Sequence, residues 1–421
     1  MTEFKLNRLE TTKLMGPMVD KHWAELRTAK TRGEKVAWCS GPMFMFAYAM
    51  GMKCHFMAGY AAYCAGRGGG DELLKIAEDE GDMPDTCTYH KLHKGMVAAF
   101  KKRLPIKEEV ILPMPDLMIT GRLCPEMAHY GESMYRQMNI KVVGVDTPPP
   151  LKETDIPALE EFAERQIREE LIPALEETCG KPFDYSRLSE LLSMLKKTAM
   201  IRNECWEYFK LQPSPWTLWD YGVSMAAVFY LLGNPAAITY YEKLKAELEQ
   251  RAKNGIAAIV PEEKYRIFWD GWLPWGFLGK FSRKLTSKGV IPLVGRYPWE
   301  MFPHPETIEP EPDPVKSVVK QIYSNGGLAR MNMPNMSLPQ IQKWIEEYKL
   351  DGLVMFSSKT CRMWNLGHPD VINEIERKNG IPGVVIEADM VDSRMFSDAQ
   401  IDTRLDALVE MMEARKKIRG I

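Results

Sequence analysis

The sequence predicts an α/β protein with two doubly wound parallel-sheet domains and a helical segment between them, and three observations carry that prediction. The chain has 421 residues, 45% of them hydrophobic, which is too long for one ordinary core and apolar enough to bury two or three. Short β-prone runs alternate with helix-period stretches near both ends, the rhythm of parallel strands joined by crossover helices. Between Asp155 and Gly255 that rhythm stops, and long amphipathic helices replace it.

Leu9 to Arg32 is a charged helical lead-in. After Gly33, "EKVAWCSGPMFMFAYAMGM" reads strand, turn and helix, with Pro42 at the first helical turn. A strand from Leu117 to Thr120 then runs into a helix, and "IKVVGVDTPPP" is another strand with a proline stop. Thr147 to Pro150 is a boundary, so the N-terminal domain is placed at 1–150. From Asp155 to Leu211 the chain is helical: Leu159, Phe162, Ala163, Gln166 and Ile167 trace one face, and Gly180 caps the helix ending at Cys179. Two further helices, the apolar Tyr221 to Gly233 and the alternating-charge Ile238 to Gly255, complete a helical segment at 151–255. In 256–421, "KYRIFWDG", "GVIPLVGRYPW", "DGLVMFSSKTC" and "IPGVVIEADM" each read as a strand entering a loop, and "AQIDTRLDALVEMMEARKKI" closes the C-terminal domain as a helix.

Charge and hydropathy exclude whole classes of partner. The formal net charge is −2, so no basic field points to nucleic acid or an anionic membrane. "MTEFKLNRLETTKLMG" lacks the apolar core of a secretory signal, and the most apolar stretches fall short of the roughly 20 residues that span a bilayer. A cytoplasmic location is expected.

The 8 cysteines lie at 39, 54, 64, 87, 124, 179, 205 and 361, with no CxxC or CxC pair. That spacing argues against zinc ribbons and two-cluster ferredoxin motifs, and the expected compartment argues against disulfides. Ligands gather outside the carboxyl ends of strands in open α/β sheets. Cys39 directly follows Val36-Ala37-Trp38, Cys124 lies just past Thr120, Cys361 just past Phe356, and Cys87 follows Asp85 and Thr86, candidate helix caps that would place it near a helix N-terminus, where a thiolate is favoured. Thiolates on separate loops of two domains suit a [4Fe–4S] cluster. Two other readings stay open: buried cysteines as small hydrophobes, and a zinc site. Cys54 and Cys64 are read as packing residues, or as extra ligands of a larger iron–sulfur assembly; Cys179 and Cys205 are read as structural.

Other features carry less. "AGRGGGDELL" is either an anion cradle before a helix or an ordinary loop. No G-x-x-x-x-G-K-[ST] and no G-x-G-x-x-G after a strand occurs, so neither a Walker-type ATPase nor a Rossmann NAD site is expected. His90, His93, His129 and His368 lie near the cysteines as proton donors or as structural histidines, and "WDGWLPWGF" (Trp269, Trp272, Trp275) is either a pocket wall or core.

Several stretches together resemble subunits of the 2-hydroxyacyl-CoA dehydratase and benzoyl-CoA reductase family over nearly the full length: "GEKVAWC", "DTCTY", "PDLMITGRLC", "PSPW", "EEKYRIFWDGWLPW", "DGLVMFSSKTC" and "IPGVVIEADMVDSRMF". The resemblance implies two flavodoxin-like domains with a [4Fe–4S] cluster between them, bound by Cys87, Cys124 and Cys361, with Cys39 beside the fourth iron as a further ligand or a neighbour. It implies a homologous second subunit, a separate ATP-dependent iron–sulfur activator, and low-potential one-electron chemistry on an acyl-CoA thioester. In the dehydratases that chemistry gives a ketyl radical that expels a hydroxyl group; in the reductases it reduces an aromatic ring. The helical segment and "IEADMVDSRMF" lean to the benzoyl-CoA reductase side, with a (R)-2-hydroxyacyl-CoA dehydratase subunit and a non-catalytic electron-transfer partner as alternatives. Relatives often carry Pro-x-Glu after the first cysteine position and a Pro-Glu-Asn-like turn, where this chain has "SGPMFMF" and Met57-Ala58-Gly59. With those carboxylates absent, His55 and Tyr60 are the nearest replacements for proton transfer.

Overall fold

The computed structural model describes residues 4–231, 233–324 and 334–419. The strands there are β1 (Lys5–Leu6), β2 (Val36–Cys39), β3 (Lys53–Phe56), β4 (Leu117–Arg122), β5 (Lys141–Asp146), β6 (Ile259–Val260), β7 (Tyr265–Asp270), β8 (Val290–Val294), β9 (Gly352–Ser358) and β10 (Gly383–Ala388). They form two four-stranded sheets, β3-β2-β4-β5 and β10-β9-β7-β8, and a two-stranded pair, β1-β6. All neighbours in the four-stranded sheets are parallel, and β1-β6 is antiparallel. The N-terminal sheet has its first two strands exchanged relative to chain order, and the C-terminal sheet places β7 between β8 and β9, so both have their chain-first strand in an interior position.

β2, β7 and β8 are buried at every residue. This is why they read as continuous apolar runs: a parallel sheet covered by helices on both faces has no solvent side to alternate toward. The strand β3 is not anticipated by the sequence pattern, which extends a buried helix to Met52. It is only four residues long, and Gly51 at φ +77 turns the chain into it directly from the helix Phe44–Ala49.

Between the sheets in sequence lie long helices, including Ile172–Cys179, Tyr185–Glu207 and Pro235–Lys253. As expected, Gly180 ends the first of these in the left-handed conformation, at φ +66. The buried Arg202 guanidinium lies over Trp299 and Phe302, 5.1 and 4.7 Å from their ring centroids, and docks the helical segment on residues that follow β8. The glycine-rich stretch is a tight helix-to-helix turn: Gly68 closes Met57–Arg67, Gly70 opens Gly70–Asp79, and a Cβ at Gly69 or Gly70 would meet Val110 or Val391 at 2.7 or 2.9 Å. Its backbone is packed against protein, so the anion-cradle reading is set aside. Among the described residues no helix is long and apolar enough to cross a membrane.

Candidate active site

Three cysteines occupy the same local position, the residue that caps a helix N-terminus. Cys87 caps Thr88–Lys102, Cys124 caps Pro125–Met138, and Cys361 caps the short helix Arg362–Asn365. None of the three sulfurs closes a capping hydrogen bond, but first-turn backbone N–H groups stand close enough to favour its charged form: Tyr89 and His90 at Cys87, Glu126 and Met127 at Cys124, and Trp364 at Cys361. The Trp272 indole donates a hydrogen bond to Cys361 Sγ at 3.2 Å. All three thiols line one cavity of about 810 Å³, including the part open to solvent, together with Ser40, Phe56, Met57, His90, Trp272 and Met390. Cys87 and Cys124 come from the N-terminal sheet's connections and Cys361 from the end of β9, so the cavity lies between the two sheets' loops.

Burial pushes all three thiols upward, Cys361 to about 11 and Cys87 well above its usual range, with the neighbouring Cys361 adding to the effect on Cys87. The N–H donors work in the opposite direction and favour the thiolate. Such sulfurs stay protonated until a cation compensates their charge, and the nearby N–H groups favour that charge once it does.

A buried network fixes the Cys361 loop. Asp389 accepts from the Ser358 and Thr360 hydroxyls at 2.9 and 2.6 Å, and from the Val391 and Asp392 amides at 2.9 Å each. Thr360 Oγ1 in turn accepts from the Thr88 amide at 3.4 Å, tying the residue before Cys361 to the residue after Cys87. Trp275 bridges the same halves by donating to Tyr89 Oη at 2.6 Å. Farther out, Glu78 accepts from Lys91 at 2.9 Å and from Arg394 at 2.7 and 2.8 Å.

Cys39, His55 and Tyr60 lie behind the wall. Cys39 is fully buried with its thiol against Cys54, and it does not line the cavity; its successor Ser40 does, accepting from the Gly121 amide. Tyr60 donates to the Val110 carbonyl at 2.6 Å. His55 Nε2 lies 2.7 Å from His93 Nε2, and His93 Nδ1 lies 2.8 Å from the Tyr89 carbonyl. A carbonyl only accepts, so His93 donates from Nδ1 and accepts the His55 N–H at Nε2, which leaves neither ring a hydrogen for the cavity. Burial holds His93 at about 4 and His90 at about 3, so both are neutral near pH 7. His90 stacks on Tyr130 at 4.3 Å and does face the cavity. Cys54, Cys64, Cys179 and Cys205 lie elsewhere; Cys205, for example, points at the Tyr241 carbonyl. Of the tryptophans, Trp272 is wall, Trp275 a bridge, and Trp269 core.

The wall residues that the sequence does not single out include Ser40 and Glu300. Ser40 is found by the strand-end rule, which applies to the residue after a strand's last member as much as to that member. Glu300 lines an adjoining cavity, and "GRYPWEMF" gives no local signal for it. Among the described residues no group of three or more His, Cys, Asp or Glu side chains is gathered tightly enough to hold a single metal ion.

The model of the 2-hydroxyglutaryl-CoA dehydratase D-component family matches residues 45–412. The chain belongs to this family. It is 29% identical over 406 residues to the alpha chain of the lactoyl-CoA dehydratase of Anaerotignum propionicum, covering 93% of each chain. It is 26% identical to the alpha chain of the (R)-phenyllactyl-CoA dehydratase of Clostridium sporogenes, covering 92% of each. It is 28% identical to a subunit of the benzoyl-CoA reductase of Thauera aromatica, over 82% of this chain and 80% of the relative. These relatives are named as subunits of CoA dehydratases and of a CoA reductase, and the chain is an enzyme subunit of that family.

Proposed function

We propose that this chain is the iron–sulfur subunit of an oxygen-sensitive enzyme that carries out low-potential one-electron chemistry on an acyl-CoA thioester. Cys87, Cys124 and Cys361 would hold a [4Fe–4S] cluster between two flavodoxin-like domains, 1–150 and 256–421, joined by the helical segment 151–255. The observation that carries the reading is the convergence of three helix-capping thiols on one largely apolar cavity. Thiols on three separate loops, without the paired short-spaced ligands of a structural zinc site, suit a polynuclear centre better than a single zinc ion. When bound, the cluster supplies single electrons at low potential. The chain's own residues would supply the rest: Trp272 and the first-turn amides would stabilise charge on sulfur, the apolar walls would exclude water, and Ser40, rather than the buried Cys39, would present a hydroxyl to the cavity.

With His55 and Tyr60 engaged inside the fold, their part in proton transfer is to hold the cavity-lining His93 and the wall behind it. A benzoyl-CoA reductase-like activity is supported by the cysteine-lined cavity, in which no Asp or Glu carboxylate stands among the described residues, since expulsion of a hydroxyl group calls for an acid beside it. The (R)-2-hydroxyacyl-CoA dehydratase reading is favoured by the family's description and by the relatives named as dehydratase subunits. A homologous second subunit and an ATP-dependent activator complete the proposed system, in keeping with relatives named as single subunits. The test is iron and acid-labile sulfide on anaerobically purified protein beside Cys361→Ser. About four of each per chain, lost in the variant, is the expected result; wild-type protein without iron refutes the reading.

A further inference from the structure

A second cavity, of about 530 Å³ including the part open to solvent, adjoins the cysteine-lined one and shares Gly41, Phe56 and Met301 with it. Its walls come from both sheet regions and the helical segment, and they are mainly apolar: Phe229 stacks face to face on Phe56, ring centroids 4.6 Å apart, and Phe302 lies 5.9 Å from Phe229. Among the described residues Glu300 and Gln321 are the polar side chains on this wall, and neither reaches the cysteine-lined cavity.

Gln321 is 8% exposed, and its amide group is oriented without ambiguity. Nε2 donates to the Ser317 carbonyl at 2.9 Å, and a carbonyl only accepts, so the NH₂ must face Ser317 and the oxygen must face away. That oxygen, Oε1, is buried and has no hydrogen-bond partner among the described residues. Buried acceptors are rarely left so, because the desolvation cost is not recovered. Gln321 stands in the wall of an apolar annex that adjoins the thiol-lined cavity.

We propose that the annex is a ligand subsite for an apolar chain or ring bearing one N–H or O–H donor, with the donor on Gln321 Oε1 and the apolar body against Phe56 and Phe229. The inference deepens the acyl-CoA reading and rests on it for the ligand's identity. Two parts of such a thioester carry this chemistry, an amide N–H of its pantetheine arm and a hydroxyl on its acyl group.

The first arm of the test needs no thioester. Calorimetric titration of the full chain compares N-benzylacetamide, a donor, with N-benzyl-N-methylacetamide, which has none. Wild-type protein is expected to bind the donor about tenfold more tightly. Gln321→Leu erases that preference, and Phe229→Trp, which fills the annex, blocks both probes while circular dichroism shows a folded chain. Equal affinity of wild type for the two probes, or binding of neither, overturns the proposal. The second arm uses benzoyl-CoA and (R)-phenyllactyl-CoA. A loss of about tenfold in Gln321→Leu with both assigns the donor to the arm's amide, and a loss with the hydroxylated thioester alone assigns it to the acyl hydroxyl. Both thioesters binding wild type and variant alike overturns the subsite as part of the thioester site. If neither binds wild type, the acyl-CoA reading fails while the probe result still decides the annex.

Discussion

Trp272→Phe removes one hydrogen bond from one sulfur and keeps an aromatic ring in its place. The indole N–H donates to Cys361 Sγ at 3.2 Å, while the ring packs on Tyr89 and Tyr297 with centroids 5.1 and 4.6 Å away. A hydrogen bond to a charged acceptor is worth about 1.5–3 kcal/mol. Only the part that grows when the proposed cluster gains an electron moves its potential, and about 1 kcal/mol of difference corresponds to roughly 40 mV for one electron. The reduced form loses more than the oxidised form, so the potential should fall by about 40 mV. EPR-monitored redox titration of anaerobic protein with full iron content reads the shift. Trp275→Phe is the control, because its indole donates to Tyr89 Oη rather than to a sulfur, and it should leave the potential unchanged. A potential that stays put or rises in Trp272→Phe refutes Cys361 as a ligand tuned by that bond.

Three further outcomes follow from the packing and the titrating groups. Gly95→Ala should destabilise by more than about 3 kcal/mol, because a Cβ there would lie 2.0 Å from the Leu73 carbonyl oxygen where two helices cross; a denaturation midpoint close to wild type contradicts this. Thr360→Val keeps the shape but removes the 2.6 Å bond to buried Asp389 and the acceptor for the Thr88 amide, and should cost about 1–3 kcal/mol and slow the recovery of iron on reconstitution; unaltered stability would show the network to be dispensable. Burial lowers His93 to about 4 and His304 to about 3, so below about pH 6.5 the unfolded chain takes up protons that the folded chain refuses. The stability these groups contribute is complete above that pH and is lost as pH falls toward 4, at up to roughly 1.4 kcal/mol per pH unit for each; urea midpoints that do not decline between about pH 7.5 and 5.5 disprove it.

Much of the fold is legible because parallel strands buried on both faces leave unbroken apolar runs. "VAWC", "YRIFWD" and "GLVMFSS" announce themselves, and Gly180 marks a helix end by its freedom to adopt positive φ. The strand Lys53–Phe56 is hidden, since four residues between two helices give no period to measure. The pairing of Lys5–Leu6 with Ile259–Val260 is hidden as well, because two-residue strands far apart in the chain leave no local trace.

The sequence by itself determined the family, the α/β rhythm and the loops that carry Cys87, Cys124 and Cys361, because strand ends and helix caps are local properties of a few neighbouring residues. Only the tertiary structure decided which side chains those loops turn inward. Cys39 and Ser40 are adjacent, yet Cys39 packs on Cys54 and Ser40 lines the cavity, a choice made by the geometry of one strand end. His55 and Tyr60 look available as letters, but the fold brings His93 and the Val110 carbonyl to them and engages their donors inside the protein. Partners of that kind come from distant segments, and hydrogen bonds, unlike hydrophobic period, leave no pattern along the chain.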